Sequence, residues 1–333
     1  MASSETGPRR VTIDDVAEAA GVSRQTVSRA LNDKGEIGVA TKQRVLDAAQ
    51  ALGYRPSRFA RGLVRQDTFS VGLVIPDLLN PFFTEVAAAA LEAARALGWH
   101  VVVYDTGDRV EEERGTLEVV ASQVDAVVGY LSLPEDEIVR LTRGLPVVLI
   151  DRKHHSERFS SILIDGEAGV HAAIRHLNRA GHRRIGMLDH AERSEPSVRH
   201  DWFDGAMTAC GLDARAVARA DQSVEGGEHG LHELLARHPD LTAVFMFNDI
   251  IAIGGLRAAR RLGRQVPRDL AVIGFDGLRL GTLVEPPLTT VALDTRALGA
   301  LAVEEAARLL TGSGPVRTDE LTVGAELRLR ESA

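Results

Sequence analysis

Seven of the ten residues from 23 to 32 carry side chains suited to a polyanion with exposed base edges: Ser23, Arg24, Gln25, Thr26, Ser28, Arg29 and Asn32. Arginine can fork onto guanine and glutamine onto adenine, each pairing worth about 1–3 kcal/mol of base discrimination. Short hydroxyls, here Ser23, Thr26 and Ser28 with Thr12 upstream, suit phosphate oxygens, which fix register without carrying sequence information. The same residues would equally serve as helix caps on a solvated face, so their position has to decide between the two roles. Other chemistry is missing. There is no G-x-S-x-G, no G-x-x-x-x-G-K-[ST] and no well-placed G-x-G-x-x-G. Histidines occur as neighbours (His154, His155), on one expected helix (His171, His176) and at one-turn spacing (His229, His232), and none of these completes a metal-ligand set. Cys210 is the single cysteine, which excludes an intramolecular disulfide, and it reads as a small apolar residue. No catalytic residue, metal or cofactor is expected.

The elements that must position the polar cluster are three short helices within the first 53 residues, each with a start signal at Thr12, Ser23 or Thr41. Val16, Ala20, Val22, Val27, Leu31, Val45, Ala49 and Leu52 recur at helical spacing and can share one small core. Between the first two helices lies Ala20-Gly21-Val22-Ser23, a turn whose glycine tolerates positive φ, as a helix-turn-helix requires. Pro56 then breaks the pattern, and Ser57 can cap a short segment to about Val64, too short for a helix that stands alone in water. From Phe69 onward the pattern alternates. Strands are predicted at 71–76, 100–106, 125–133, 146–152, 184–190, 243–248, 270–275 and 289–294, and helices at 81–97, from 111, and at 167–180, 197–210, 225–237, 249–262 and 296–310. Near-continuous apolar strands between amphipathic helices imply parallel sheets covered on both faces, and a break near 165 implies two such units with a cleft between them.

Charge is distributed to match. Residues 1–66 carry 11 Lys or Arg against 7 Asp or Glu, a net of +4 in a chain whose total is −8, so the remainder is acidic. A small basic reader joined to an acidic body has this asymmetry. No run of about 18 apolar residues appears, and the opening MASSETGPRR lacks the apolar core of a signal peptide, so the expectation is a cytoplasmic protein without membrane contact.

The stretch from Val11 to Asn32 closely resembles the DNA-reading head of the lactose and galactose repressor (LacI/GalR) family. The resemblance is reinforced by Thr41 to Ala51, Leu52-Gly53-Tyr54-Arg55-Pro56, Asn80-Pro81-Phe82-Phe83, Asn248-Asp249, Gly274-Phe275-Asp276 and Pro286-Pro287-Leu288-Thr289-Thr290, and covers residues 10 to 330. It implies a recognition helix at 23–31 in the major groove, with Arg24, Gln25 and Arg29 nearest the bases and Asn32 and Tyr54 within the DNA-contacting set. It also implies a hinge helix in which Leu63, beside Ala60, wedges into the minor groove; the alternative is that Leu63 packs on the body of the protein. Gly62 departs from the family pattern, and glycine costs about 1 kcal/mol relative to alanine in a helix, so this hinge is expected to fold less readily.

The family's large domain is similar to periplasmic sugar-binding proteins, with ligand at the carboxyl ends of strands, where open α/β sheets are also expected physically to bind it. On that basis Asp151, Asn248 and Asp276, each closing a strand, converge on the cleft, with capping or turn formation as their alternative role. Phe82 and Phe83 follow the first strand, one as a ring against a sugar face and the other as core, and Gln222 lies where some relatives place an aromatic wall. Many relatives carry an arginine three residues before Gly205; here the position holds Trp202, with Arg199 able to reach in from the preceding turn. The effector could therefore be an unusual sugar, an oligosaccharide, or no sugar at all.

The resulting expectation is an α/β protein: a small all-α helix-turn-helix headpiece (1–56), a hinge (57–67), and a two-lobed periplasmic-binding-protein-like domain with parallel sheets (68–333). Lobe 1 spans about 68–164 and 295–322, and lobe 2 about 165–294 and 323–333. The function implied is transcriptional repression, with a homodimer paired through segments including helix 81–97 on a palindromic double-stranded operator, under control of a sugar-like effector. The absence of leucine heptads near 331–333 favours a dimer over a tail-assembled tetramer. An enzyme lacks its motifs here, and a free-standing transport protein would not need residues 10–64.

Overall fold

A computed structural model describes residues 12–31, 37–52, 68–152, 156–190, 196–312, 316, 317, 319 and 321–333. The chain divides into two compact units, Met1–Thr68 and Phe69–Ala333.

In the first unit, α1 (Ile13–Ala20), α2 (Arg24–Leu31) and α3 (Val39–Ala51) pack around Val16, Val27 and Val45, all fully buried. Thr12 and Asp15 form a reciprocal capping box: the Thr12 hydroxyl accepts from the Asp15 N–H at 3.3 Å, and the Asp15 carboxylate accepts the Thr12 N–H at 2.6 Å. Gly21 ends α1 at φ +63°, which lets the Val22 N–H reach back to the Ala17 carbonyl at 3.0 Å. α3 starts two residues before the expected Thr41, and Leu52, expected in the small core, is 39% exposed.

The second unit runs β1 (Ser70–Ile75), α4 (Pro81–Ala96), β2 (His100–Asp105), α5 (Val110–Val120), β3 (Ala126–Gly129), α6 (Glu135–Thr142), β4 (Val147–Ile150) and β5 (Ser160–Asp165) in its first half. It continues with α7 (Glu167–Arg179), β6 (Ile185–His190), α8 (Val198–Ala209), β7 (Val217–Ala220), α9 (Val224–Arg237), β8 (Ala243–Met246), α10 (Asp249–Arg261), β9 (Ala271–Asp276), a 3-10 turn (Arg279–Thr282), β10 (Thr289–Leu293), α11 (Thr295–Leu310) and β11 (Leu321–Arg328). Where two sheets were expected, the strands form one continuous sheet in the order β2-β1-β3-β4-β5-β11-β10-β9-β8-β6-β7.

The reason lies in β11. Its residues 321–324 pair with β5 in parallel, and its residues 325–328 pair with β10 antiparallel, so one strand belongs to both halves and the sheet is parallel everywhere except at β10–β11. The chain passes between the halves three times: after β5, after β10 and within β11. One apolar core runs under both halves, from Leu73, Val86 and Ile162 to Ile174, Phe203 and Phe245. The opposite faces have separate cores, with Val74, Leu117 and Leu149 in the first half and Leu188, Leu231 and Val272 in the second. Burial on both faces accounts for strands that read as unbroken apolar runs.

Candidate functional site

The strands of both halves point their carboxyl ends at the joint between them, and there the structure holds a cavity of about 470 Å³. Its wall includes all eight residues expected at an effector site: Phe82, Phe83, Asp151, Arg199, Trp202, Gln222, Asn248 and Asp276. The volume falls in the range of about 300–1,000 Å³ usual for small-molecule sites.

Each side chain has a local reason for its place. Asn80 caps α4, its side-chain oxygen accepting the Phe82 N–H at 3.1 Å, and so sets Phe82 and Phe83 in the first turn of the helix. Phe82 is 4% exposed and belongs to the core, whereas Phe83 is partly buried and meets the Tyr130 ring edge-on at 5.0 Å. Asn248 does both jobs open to it. Its oxygen caps α10 by accepting from the Ile251 N–H at 2.9 Å, while its amide donates to the Gln222 oxygen at 3.0 Å on the cavity wall. Asp151 follows β4 at φ +54° with an exposed side chain, and its N–H donates to the Ile162 carbonyl at 2.8 Å. Asp276 closes β9 at φ +117°, a backbone conformation that costs a non-glycine residue about 1–3 kcal/mol and tends to persist at functional sites.

Arg199 brings a guanidinium to the cavity wall one turn before Trp202. Ser197 caps α8 and is itself held by Asp189, through its N–H at 3.1 Å and its hydroxyl at 2.5 Å, which fixes the first turn of the helix. From that turn the Arg199 guanidinium donates to the Phe247 carbonyl at 2.6 Å and lies 3.4 Å from the Asp276 carboxylate. Its central carbon lies over the Phe275 ring, 3.9 Å from the ring centre, and over the Phe247 ring, at 4.4 Å. Trp202, one turn further on, stacks on Phe275 at 6.3 Å and 22°. Beneath the pair is Gly166, where a Cβ would stand 2.6 Å from the tryptophan ring.

Electrostatics follow from burial. The Asp276 carboxyl is pushed well above the usual carboxylate range by burial, with Arg199 opposing and neighbouring carboxylates adding to the rise. Asp249, wholly buried beside it, is pushed up to about 7 by burial, although it accepts from the Thr290 hydroxyl at 2.6 Å and the Leu278 N–H at 2.7 Å. Burial, with the Asp151 and Asp276 charges, also raises the Tyr130 hydroxyl, which has no hydrogen-bond partner among the described residues. Tyr130 and His190 line the cavity too, and neither was expected there. The rule that flags Asp151, Asn248 and Asp276, a polar residue closing an apolar strand, also picks out His190 at the end of the strand expected at 184–190, but it passes over Tyr130, which lies inside the strand expected at 125–133.

On the first unit, Arg24, Gln25 and Arg29 are exposed along α2, and Thr26 and Ser28 are half-buried. Ser23 caps the helix through the Thr26 N–H at 3.1 Å, and the Thr12 hydroxyl donates to Asp15 at 2.7 Å, so both of these also have structural work. Asn32, Tyr54, Ala60 and Leu63 lie outside the described residues, as do His154 and His155. Among the described residues no group of three His, Cys, Asp or Glu could hold a metal ion.

Residues 12–57 match the model of bacterial regulatory proteins of the lacI family, and residues 174–333 match the periplasmic binding protein-like domain. The ribose operon repressor of Halalkalibacterium halodurans is 33% identical over 324 residues, covering 96% of each chain. The chain belongs to the lacI family.

Solved structures of lacI-family regulators share its architecture. A regulator from Arthrobacter sp. FB24, in complex with lactose, superposes with a TM-score of 0.73 at 34% identity, covering 80% of this chain and 99% of that one. The lac repressor dimer bound to operator and the anti-inducer ONPF superposes with a TM-score of 0.73 at 27% identity, covering 97% and 99%. This lacI-family chain is a DNA-binding transcriptional regulator with a periplasmic-binding-protein-like effector domain, and not an enzyme. No helix among its described residues is long and apolar enough to cross a membrane.

Proposed function

We propose that this lacI-family regulator is a cytoplasmic repressor that grips a palindromic operator as a homodimer and changes its grip when a sugar-like effector fills the cavity. The observation that carries the proposal is the composition of the cavity wall. Aromatic surfaces (Phe83, Trp202) that can lie against a sugar ring face fixed polar groups (Asn248, Gln222, Arg199, Asp276) that can pair with its hydroxyls. The lactose-bound Arthrobacter regulator and the operator-bound lac repressor support extending both roles to this chain.

In this reading 1–56 form the headpiece, 57–67 the hinge with Leu63 as wedge beside Ala60, and 68–333 the effector and pairing domain. Base contacts come from Arg24, Gln25 and Arg29, backed by Thr12, Ser23, Thr26, Ser28, Asn32 and Tyr54. Pairing of two chains sets two recognition helices about one DNA turn apart. An effector that prefers one relation of the lobes must shift operator affinity reciprocally, typically by about 1–3 kcal/mol.

The test is thermal unfolding against neutral sugars, glycosides and sugar phosphates, followed by operator binding with each hit. A ligand at about 100 times its dissociation constant adds about 2.7 kcal/mol of stability. The expected result is an upward shift with one sugar class, lost in Asp276→Ala, and a change in operator affinity with the same ligand. A flat panel from protein that still binds its operator overturns the sugar reading.

A further inference from the structure

The turn that carries Asp276 is held from both halves of the domain. Asp276 and Gly277 (φ +83°) lead from β9 into Leu278 and the 3-10 turn Arg279–Thr282. Three successive backbone N–H groups there find side-chain acceptors. The Gly277 N–H donates to the Thr290 hydroxyl oxygen at 3.2 Å, and the Leu278 N–H donates to Asp249 at 2.7 Å; both acceptors stand in the same half as the turn. The third acceptor comes across the joint. The Arg279 N–H faces a carboxylate oxygen of Glu85, on α4 of the first half, at 3.5 Å, and the other oxygen of Glu85 accepts from the Thr295 hydroxyl at 3.4 Å. Thr295 opens α11, directly after the second of the three crossings between the halves.

We infer that Glu85 is a positioning residue: it latches the Asp276 turn of the second lobe to α4 of the first, so that one four-residue segment links the state of the cleft to the relation of the lobes. Asp249 and Thr290 make the turn rigid with respect to its own lobe, which leaves the Glu85 contact as the end that can give. Both Glu85 contacts are longer than a usual hydrogen bond of their kind, so each holds only weakly. Glu85 is half-buried; its contact with Thr295 is partly shielded from water, and its contact with the Arg279 N–H is exposed. Its charge also reaches Asp276: burial is the main cause of that carboxyl's rise, Arg199 opposes it, and Glu85 adds to it with Asp249 and Asp151. A ligand that takes hold of Asp276 therefore pulls on the segment whose far end Glu85 grips. The consequence for regulation rests on the effector reading above; the latch itself does not.

The experiment is a spin-label distance measurement in the full-length, ligand-free protein. Nitroxides are placed on Glu118→Cys in the first lobe and Arg237→Cys in the second, both exposed positions, in a Cys210→Ser background, and diluted into an excess of unlabelled protein. The parent is expected to give one narrow distance distribution. Glu85→Ala should broaden it or add a second distance, while Glu85→Gln, which keeps a carbonyl acceptor for the Arg279 N–H, should stay close to the parent; thermal unfolding confirms that each variant is folded. An unchanged distribution in Glu85→Ala overturns the latch. Equal broadening in the alanine and glutamine variants overturns it as well, because charge and not hydrogen bonding would then hold the lobes. Since no ligand is used, failure here removes the latch and leaves the effector reading intact, whereas a flat sugar panel does the reverse.

Discussion

Asp249 should make the stability of this protein fall as pH rises through neutrality. The residue is wholly buried at the start of α10, where two hydrogen bonds, the charge of Arg330 and the helix N-terminus favour its charged form against desolvation. Burial wins, and its carboxyl is pushed from 3.8 up to about 7. A carboxyl raised in the folded state is bound to its proton more tightly there than in the unfolded chain. The stability this contributes is fully present below about pH 4 and is lost as pH climbs to about 7. A shift of about three units at about 1.4 kcal/mol each amounts to about 4 kcal/mol, a large part of the about 5–15 kcal/mol that holds a typical domain folded. Asp249→Asn removes the titration while keeping an acceptor for the Leu278 N–H. Urea unfolding followed by tryptophan fluorescence, from pH 4.5 to 8.5 in both proteins, cancels the groups that titrate alike in the two and leaves Asp249 with the part of the Asp276 rise that its charge causes. The asparagine variant should gain on the parent by about 1.4 kcal/mol per pH unit up to about pH 7 and then run parallel to it. A difference that stays flat across the window would show that the hydrogen bonds and the helix terminus outweigh burial, and would refute the reasoning.

Other substitutions probe the cleft and the headpiece. Gly166→Ala should cost about 1–3 kcal/mol, because the new methyl would stand 2.6 Å from Trp202 and 2.7 Å from Phe275; an unchanged melting temperature would mean that this stack is free to part. Arg199→Ala leaves the buried Asp276 carboxylate without its cation and should cost about 3–5 kcal/mol, a loss that shrinks as pH is lowered, because burial makes that carboxyl hold its proton more readily than usual; a loss that does not change with pH would rule out the charge pair as the cause. Arg24→Ala or Gln25→Ala should relax base preference in a binding-site selection, and an unchanged consensus would remove α2 from base reading.

The headpiece was legible because its signals are local. A capping threonine, a glycine that the turn needs at positive φ and three spaced valines are each readable within a few residues. The cleft was legible through a rule about topology, that polar residues closing parallel strands line the cavity at their carboxyl ends, and Asp276 and Asn248 do so. Elements that escaped are those whose order comes from tertiary contacts. β5 begins with two serines, both buried, and β7 is the four residues Val-Ala-Arg-Ala, neither of which has the apolar density of a core strand. The expected strand at 125–133 ends at Gly129, because the Ser132 and Leu133 N–H groups turn away to the buried carboxylate of Glu113 at 3.0 Å instead of continuing the ladder. Nothing local could have disclosed the Glu85 contact, which spans 194 residues of sequence.

The shared strand β11 also decides when this molecule can become whole. It follows all ten other strands in the chain, so until it has been made and docked, β5 and β10 confront each other as bare edges with unpaired peptide groups. Neither lobe can be excised as a well-behaved fragment, since whichever lacks residues 321–328 keeps an open flank that invites pairing with another copy. The strand acts as a rivet: one eight-residue segment, made after the ten other strands, closes an edge of each half-sheet and fastens the two together.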